Sequence, residues 1–291
     1  MNVNLIAYLH AASPLHVGNG QSLDVIDLPI QRERGTNLPV VPGSGVKGVF
    51  RAECENGAHK GTVDSAFGRE KDPTAGAGAV TFGDARLLLF PVRSVRQLFG
   101  WVTCPYVIRR YANDRTALGL DSSKELAVLQ ALASAGERAV CSDQAIVVNG
   151  KVFLDDSDLD AVVKPELLSW ANELKARCLP TLLQPLLGPR LVVVSDGWFS
   201  ILVTQCTEIV ARIKLNDDTK TVHDGGLWYE EALPAEAVLY ATVISEKGRV
   251  RGAEKGAADH VTMLREIKSA QLGGKASVGR GLCSILWEPK P

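Results

Sequence analysis

The segment from His10 to Arg51 constrains this chain most, because it combines two glycine loops, a carboxylate with a buried sequence setting and a basic tract. Its second loop, PGSGVKG at 42–48, follows an apolar run, and the next apolar residues recur at helical spacing. This pattern predicts a helix over 45–55 with Ser44 as its N-cap. Free amides at such a helix start attract phosphate, and Lys47 and Arg51 would share one face of the first turns. The segment therefore predicts a polyanion site.

The same loop spells G-x-G-x-x-G at Gly43, Gly45 and Gly48, which on its own is a weak indication of dinucleotide binding. A dinucleotide fold needs a strong buried strand before the loop and an acidic residue about 20 positions later, at the end of a second strand. Here Pro39 and Pro42 flank the strand, and Asp64 lies in a polar stretch. The pattern also lacks the Ser or Thr that follows the lysine of a P-loop. A nucleotide-dependent metabolic enzyme is a remote alternative.

Composition predicts a folded, cytoplasmic protein. Of the 291 residues, 46% are hydrophobic, enough for a sizeable core. No apolar run approaches the roughly 20 residues of a membrane span, and the amino terminus lacks the features of a signal peptide. The six cysteines are too far apart for a metal knuckle or a redox motif, and we expect reduced, mostly buried thiols.

Positive charge is clustered, although the net charge is −1. Residues 85–111 contain five arginines, Arg109 and Arg110 among them, and no acid, and the arginines are interleaved with aromatic residues. Arginine and aromatic side chains together are typical of single-stranded RNA binding. The alternative, which we favour from this segment alone, is that the aromatic residues belong to the core and the arginines to a solvated rim.

Elsewhere strands alternate with helices around a glycine-rich stretch at 56–80, predicted as a flexible loop. Residues 213–234 alternate like a hairpin, with a turn at Asn216-Asp217-Asp218. Its apolar residues Val222, Leu227 and Trp228 are candidates to wedge between stacked bases. The alternative is that Trp228 and Tyr229 anchor the hairpin to the core. Near the carboxyl end, GGKASVGRG at 273–281 surrounds Lys275 and Arg280 with glycines, so that its amides can approach phosphate.

Five of these segments, in this order and spacing, resemble the RAMP-family backbone subunit of the type III-B CRISPR effector complex. They are SPLHVGNGQSLDVIDLPIQRER, LPVVPGSGVKGVFR, the stretch from VTFGDAR to PYVIRR, LWYEEALP and GGKASVGRG. The resemblance covers nearly the whole chain. It implies an α+β fold in one RAMP domain over 1–291: a modified ferredoxin-like, RRM-like palm with inserted loops and a projecting β-hairpin thumb, which residues 213–234 resemble.

The resemblance also implies partners and activity. The partners are a CRISPR guide RNA, a single-stranded target RNA, further copies of the chain and other subunits of the complex. The implied activity is cleavage of complementary target RNA at regular intervals, with a divalent cation such as Mg²⁺ as cofactor. The loop and helix at 43–51, including Ser44, would contact guide phosphates. The family's cutting aspartate corresponds to Asp27.

A carboxylate at Asp27 is chemically reasonable, since RNA carries its own nucleophile, the 2′-OH. Asp27 would accept the 2′-OH proton or hold the metal against the phosphate. His16 is either a second catalytic residue, acting as an acid or a phosphate donor, or a packed, hydrogen-bonded histidine.

Two acidic features leave questions open. Asp24 departs from the family pattern and is either a metal partner or a turn residue. Glu230 and Glu231 resemble an acidic pair at the thumb base, for which we expect exposed strand-end positions. The alternative function is a non-catalytic structural RNA-binding subunit.

Overall fold

The structure, a computed structural model, describes residues 2–20, 25–57, 60–69, 72, 74, 76–216 and 221–289. Its palm is built from six elements, which are β1 (Val3–Ala11), α1 (Gly43–Glu55), β4 (Ala85–Arg93), β12 (Val238–Ser245), α8 (Ala257–Leu264) and β14 (Leu282–Glu288). They follow the ferredoxin-like connectivity β-α-β-β-α-β, and the four antiparallel strands lie in the order β14-β1-β12-β4. The helix α1 follows β1, and α8 follows β12. The predicted palm is confirmed.

Short strands and one helix complete the palm. The strands β2 and β3 add to the edges of β4 and β12, and β13 pairs with β14. The helix α2 packs against α1 and α8. Their bounds are β2 (Val40–Val41), α2 (Lys60–Phe67), β3 (Val80–Phe82) and β13 (Ser269–Gln271). The helix α2 lies inside the stretch 56–80 that we expected to be a loop: Val63, Ala66 and Phe67 bury one side of it, which offsets the cost of a short helix.

A large insertion between β4 and β12 extends the sheet through β5, β9, β6, β8 and β7 and adds five helices. The strands of this insertion are β5 (Phe99–Thr103), β6 (Ala139–Cys141), β7 (Lys151–Leu154), β8 (Ser157–Val163) and β9 (Leu191–Val193). The helices are α3 (Pro105–Ala117), α4 (Ser123–Ala133), α5 (Pro165–Cys178), α6 (Gln184–Leu187) and α7 (Asp196–Gln205). Pro105 and Pro165 begin their helices because proline lacks only an amide hydrogen that the first turn leaves unused.

Helices cover both faces of the palm sheet. The helices α1 and α8 pack on one side, and α3 and α5 of the insertion contact β1, β4 and β14. Tyr8 on β1 is fully buried, and its hydroxyl group meets that of Tyr111 on α3 at 2.5 Å. Arg115 on α3 donates to Glu288 on β14 at 2.6 Å. RRM proteins stack bases on an open sheet face, whereas this face is buried and offers no such platform.

A separate two-stranded sheet forms the hairpin of β10 (Glu208–Leu215) and β11 (Val222–Ala232). It begins five residues before the predicted start, because Glu208 already pairs with Ala232. The turn that we predicted at Asn216-Asp217-Asp218 falls largely outside the described residues. The hairpin exposes one apolar face, formed by Ile209, Ile213, Leu215, Val222, Leu227 and Tyr229.

Buried polar groups join α2, α8 and β12. His260 on α8 is fully buried, with Nε2 2.8 Å from Ser65 Oγ and Nδ1 3.1 Å from Ser245 Oγ. Burial lowers the pKa of His260, because it disfavours the charged ring. The six cysteines are free, and all but the half-buried Cys206 are buried. Within the described residues, no helix is long and apolar enough to span a membrane.

Candidate functional site

The first turns of α1 present an open polar face. Ser44 and Gly48 are exposed, and Lys47 is half-buried on the same side. Arg51 follows one turn later and donates to Glu55 at 2.7 Å and to the carbonyl of Gly68 at 3.2 Å. No described side chain forms an ion pair with Lys47. The structure thus places Ser44, Lys47 and Arg51 together, as the sequence predicts.

The start of α1 differs from the prediction in one respect. Ser44 is not the N-cap, because the helix begins at Gly43, two residues before the predicted start, and the side chain of the preceding residue does not cap it. Instead the Gly43 amide donates to Asp84 Oδ1 at 2.7 Å. A Cβ at Gly43 would lie 2.6 Å from the Phe82 carbonyl oxygen, so only glycine fits there. The strand before the loop is β2, which pairs antiparallel with β4, and the loop therefore lacks the parallel β-α-β setting of a dinucleotide site.

Asp27 lies at the base of the hairpin. Its Oδ2 accepts a 2.7 Å hydrogen bond from the backbone amide of Tyr229 on β11. The next residue, Leu28, donates to the Tyr229 carbonyl at 3.1 Å and accepts from the Glu231 amide at 3.0 Å. Asp27 is half-buried, and no second described residue donates to its carboxylate. One oxygen is therefore held by the hairpin, and Oδ1 remains available to a bound molecule.

His16 is anchored to the same edge of β11. Its Nδ1 lies 2.6 Å from the Glu231 carbonyl oxygen, two residues beyond the amide that holds Asp27, a rise of about 7 Å along a strand. Since a carbonyl only accepts, Nδ1 carries the proton, and Nε2 of the neutral ring is left as an acceptor. The ring is buried, and a Cβ at Gly18 would lie 3.0 Å from Nε2. This geometry matches the packed, hydrogen-bonded alternative.

Glu230 and Glu231, expected to be exposed, are both buried. Glu231 accepts from the Ile30 amide at 3.0 Å and from Arg32 at 2.6 Å, so it attaches the segment after Asp27 to the hairpin. These partners are about 200 positions away in the sequence, which is why the strand pattern alone did not reveal the burial.

Glu230 is the centre of a second cluster. Its carboxylate accepts from Lys275 and Trp228 at 2.8 Å each and from Arg212 at 3.3 Å. Burial raises the pKa of Glu230, but these donors outweigh it and lower the pKa to about 2. The cluster therefore keeps a charged carboxylate inside the hairpin base.

The two predicted phosphate contacts of the glycine loop both form ion pairs with the hairpin. Lys275 binds Glu230 on β11, and Arg280 donates to Glu208 on β10 at 3.2 Å. The same loop approaches His16, since the Gly274 amide donates to the His16 carbonyl at 2.8 Å. A Cβ at Gly273 would lie 2.3 Å from that carbonyl oxygen, so the close packing requires glycine.

The basic and aromatic segment is mostly core, as we favoured. Phe90, Trp101 and Tyr111 are fully buried, and Tyr106 remains exposed. Arg110 binds Glu33 at 2.7 and 2.8 Å and lies over the Tyr106 ring. Arg109 is exposed on the same helix. The structure brings neither arginine into a described contact with α1 or Asp27.

The three predicted wedge residues lie on two faces of the hairpin. Val222 and Leu227 project from its exposed apolar face. Trp228 points to the other face, where its indole donates to Glu230 on the same strand.

Metal binding by protein groups alone does not fit the described residues, among which no three His, Cys, Asp or Glu side chains come close enough to share an ion. Asp24 lies outside the described residues. The free Oδ1 of Asp27 does fit a magnesium ion that takes its other ligands from phosphate and water, as Mg²⁺ commonly does.

Comparison with known proteins gives consistent matches. The model of the RAMP superfamily matches residues 8–284. The CRISPR system Cmr endoribonuclease Cmr4 of Pyrococcus furiosus is 31% identical over 284 residues, which cover 95% of this chain and 93% of that protein. A crystal structure of oligomeric Cmr4 from Pyrococcus furiosus has a TM-score of 0.71 at 23% identity, with 98% of this chain and 97% of that chain covered. A chain in the cryo-EM structure of the type III-B Cmr-beta complex bound to cognate target RNA has a TM-score of 0.78 at 22% identity, with 98% and 96% covered.

Proposed function

The chain belongs to the RAMP superfamily, and we propose that it is the backbone subunit of a type III-B CRISPR effector, which binds guide RNA and cleaves complementary target RNA. The observation that carries this proposal is the hydrogen bond between the Tyr229 amide and Asp27, because it joins the proposed cutting carboxylate to the hairpin. A hairpin that displaces one target nucleotide would thereby place the adjoining phosphate beside Asp27.

Guide binding rests on the open face of α1. Ser44 and Lys47 offer a hydroxyl group and a cation on the first turns, and the exposed Gly45 and Gly48 leave the backbone open to a phosphate. Arg51 would add a second cation by exchanging its ion pair with Glu55 for one with phosphate. The exposed Arg109 is proposed as a further contact, and Arg110 would join it only by leaving its ion pair with Glu33. These groups recognise backbone phosphates and not base edges, so base pairing with the guide would choose the target.

Cleavage needs the 2′-OH of the displaced nucleotide to lie in line with the adjoining phosphorus. The fixed Oδ2 of Asp27 orients its carboxylate, and Oδ1 accepts the 2′-OH proton as the 2′-oxygen bonds to phosphorus. The bond from phosphorus to the 5′-oxygen breaks, the 5′-oxygen takes a proton from water, and the products are a 2′,3′-cyclic phosphate and a 5′-hydroxyl end. His16 holds the hairpin edge through Nδ1, and it reaches the leaving oxygen only if binding opens its packing. Alternatively, Oδ1 of Asp27 would hold a magnesium ion, which would supply charge neutralisation at the phosphate.

Partners follow from the same proposal. We expect guide RNA, target RNA, further copies of this chain and other subunits of the complex, and the relatives named above include both an oligomeric protein and a target-bound complex. A cytoplasmic location also belongs to the proposal.

The test assembles the protein with its complex partners and a guide, adds end-labelled complementary RNA with magnesium or EDTA, and maps the products. The expected result is a ladder with constant spacing that depends on the guide and on the metal. A ladder that persists in EDTA would overturn the metal requirement alone. Tight binding without cuts would favour the non-catalytic structural subunit.

A further inference from the structure

The glycine loop at 273–281 contacts the palm and the hairpin at the same time. Toward the palm, the Gly274 amide donates to the His16 carbonyl at 2.8 Å, and the Gly281 amide donates to the Pro14 carbonyl at 2.9 Å. Toward the hairpin, it reaches both strands through Lys275 and Arg280. It is therefore a bridge between the two parts.

Both cations are committed to carboxylates at the hairpin base. The Arg280 side chain is 11% exposed, too little for a free phosphate contact, and it pairs with Glu208 at the first position of β10. Lys275 pairs with Glu230, whose side chain is 5% exposed and which also accepts from Trp228 and Arg212. Removing Lys275 would leave the buried Glu230 carboxylate with less positive charge nearby to offset the cost of its desolvation.

The Glu230 backbone leads directly to the proposed cutting residue. Glu230 forms a parallel bridge with Leu28, and the hydrogen bonds on either side of that bridge involve Tyr229 and Glu231. The Tyr229 amide holds Asp27. A shift of Glu230 would therefore move the donor that orients the Asp27 carboxylate.

From these contacts we infer that Lys275 and Arg280 form a clamp that fixes the hairpin base, and thereby orients Asp27, and that they are positioning residues and not phosphate ligands. This inference rests on the proposed function. The loss of either pair leaves RNA binding intact and lowers the rate of the cleavage step.

The experiment exchanges the charges of the ion pair between Arg280 and Glu208. Assembled complexes carry Glu208→Arg, Arg280→Glu or both substitutions, with Lys275→Gln as an independent variant and Lys151→Gln as a control on a distant hairpin. Guide affinity, its salt dependence and the single-turnover cleavage rate of target RNA are measured for each. Thermal unfolding and hydrogen exchange at the Tyr229 amide report folding and the state of the clamp.

A clamp predicts that each single substitution slows cleavage roughly tenfold to a hundredfold, with unchanged salt dependence of guide binding and faster exchange at Tyr229. The double variant, with Glu208→Arg and Arg280→Glu, restores the ion pair, the cleavage rate and the slow hydrogen exchange at Tyr229. A phosphate contact predicts instead that Arg280→Glu weakens guide binding, and that the added Glu208→Arg does not restore the rate. Lys275→Gln would then lower the salt slope by about 1.

Any of these three results would overturn the clamp, as would unchanged hydrogen exchange at the Tyr229 amide in folded variants. Absence of cleavage by the wild-type complex would count against the proposed function, and the exchange measurement would still test the clamp.

Discussion

The backbone amide of Tyr229 donates a 2.7 Å hydrogen bond to Oδ2 of Asp27, across 202 positions of sequence. The amide N–H points away from β10, toward the segment of Asp27 and Leu28 at the outer edge of β11. The carboxylate and the hairpin therefore form one mechanical unit, and a target distorted by the hairpin would meet a carboxylate that is already oriented.

Removing this amide should slow cleavage. Tyr229→Pro lacks the N–H group, and we expect a loss of roughly tenfold or more in the single-turnover rate, since a hydrogen bond to a charged acceptor contributes about 1.5–3 kcal/mol. Tyr229→Ala keeps the amide and is the matched control for the ring. Equal rates for the two variants would show that the amide does not orient Asp27, provided that both complexes assemble.

Lys47 should contribute to guide binding through charge alone. We expect Lys47→Ala to weaken binding of unrelated guide sequences equally and to reduce the salt slope of binding by about 0.7–1, since one phosphate contact is lost. Binding measured by filter retention at several salt concentrations tests this. Lys151→Ala is the control, because Lys151 already pairs with Asp158 on the β7–β8 hairpin. A slope unchanged in Lys47→Ala would argue against this face of α1 as the guide site.

Burial of His260 should make the protein less stable in mild acid. Because its folded pKa is lowered, the unfolded chain takes up the proton first, at about pH 6.5, and the free energy of unfolding decreases as pH falls below that value. This loss stops once the folded ring is also protonated. Urea unfolding at pH 7.5 and 5.5 should show a smaller difference for His260→Gln than for the wild type. A full wild-type difference retained in His260→Gln would contradict the assignment.

Much of the fold follows from the sequence, because periodic patterns report local structure. The apolar spacing of Val46, Val49 and Phe50 predicts α1, and the alternation around Trp228 predicts the hairpin. The error at Ser44 has a physical cause. Gly43 packs against Phe82 at the end of β3 and against Gly83, and its amide donates a hydrogen bond to Asp84, 41 positions away.

The site was less predictable than the fold. Asp27 is known as the proposed cutting residue only through the family resemblance, and its hydrogen bond to Tyr229 depends on tertiary pairing. Glu231 appeared to be a surface residue, since the alternation of a strand does not show that Ile30 and Arg32 cover its end. Lys275 and Arg280 were predicted from their glycine surroundings, and their acidic partners lie on strands that the spacing does not connect to the loop.

The central claim, that Asp27 cuts guide-paired RNA, is tested most directly by Asp27→Asn in the assembled complex. The asparagine retains an oxygen that can accept from the Tyr229 amide, but it loses the negative charge that accepts the 2′-OH proton. We predict wild-type affinity for guide and target, with cleavage products lost at every position. A regular ladder at the wild-type rate from the Asp27→Asn complex would contradict the account.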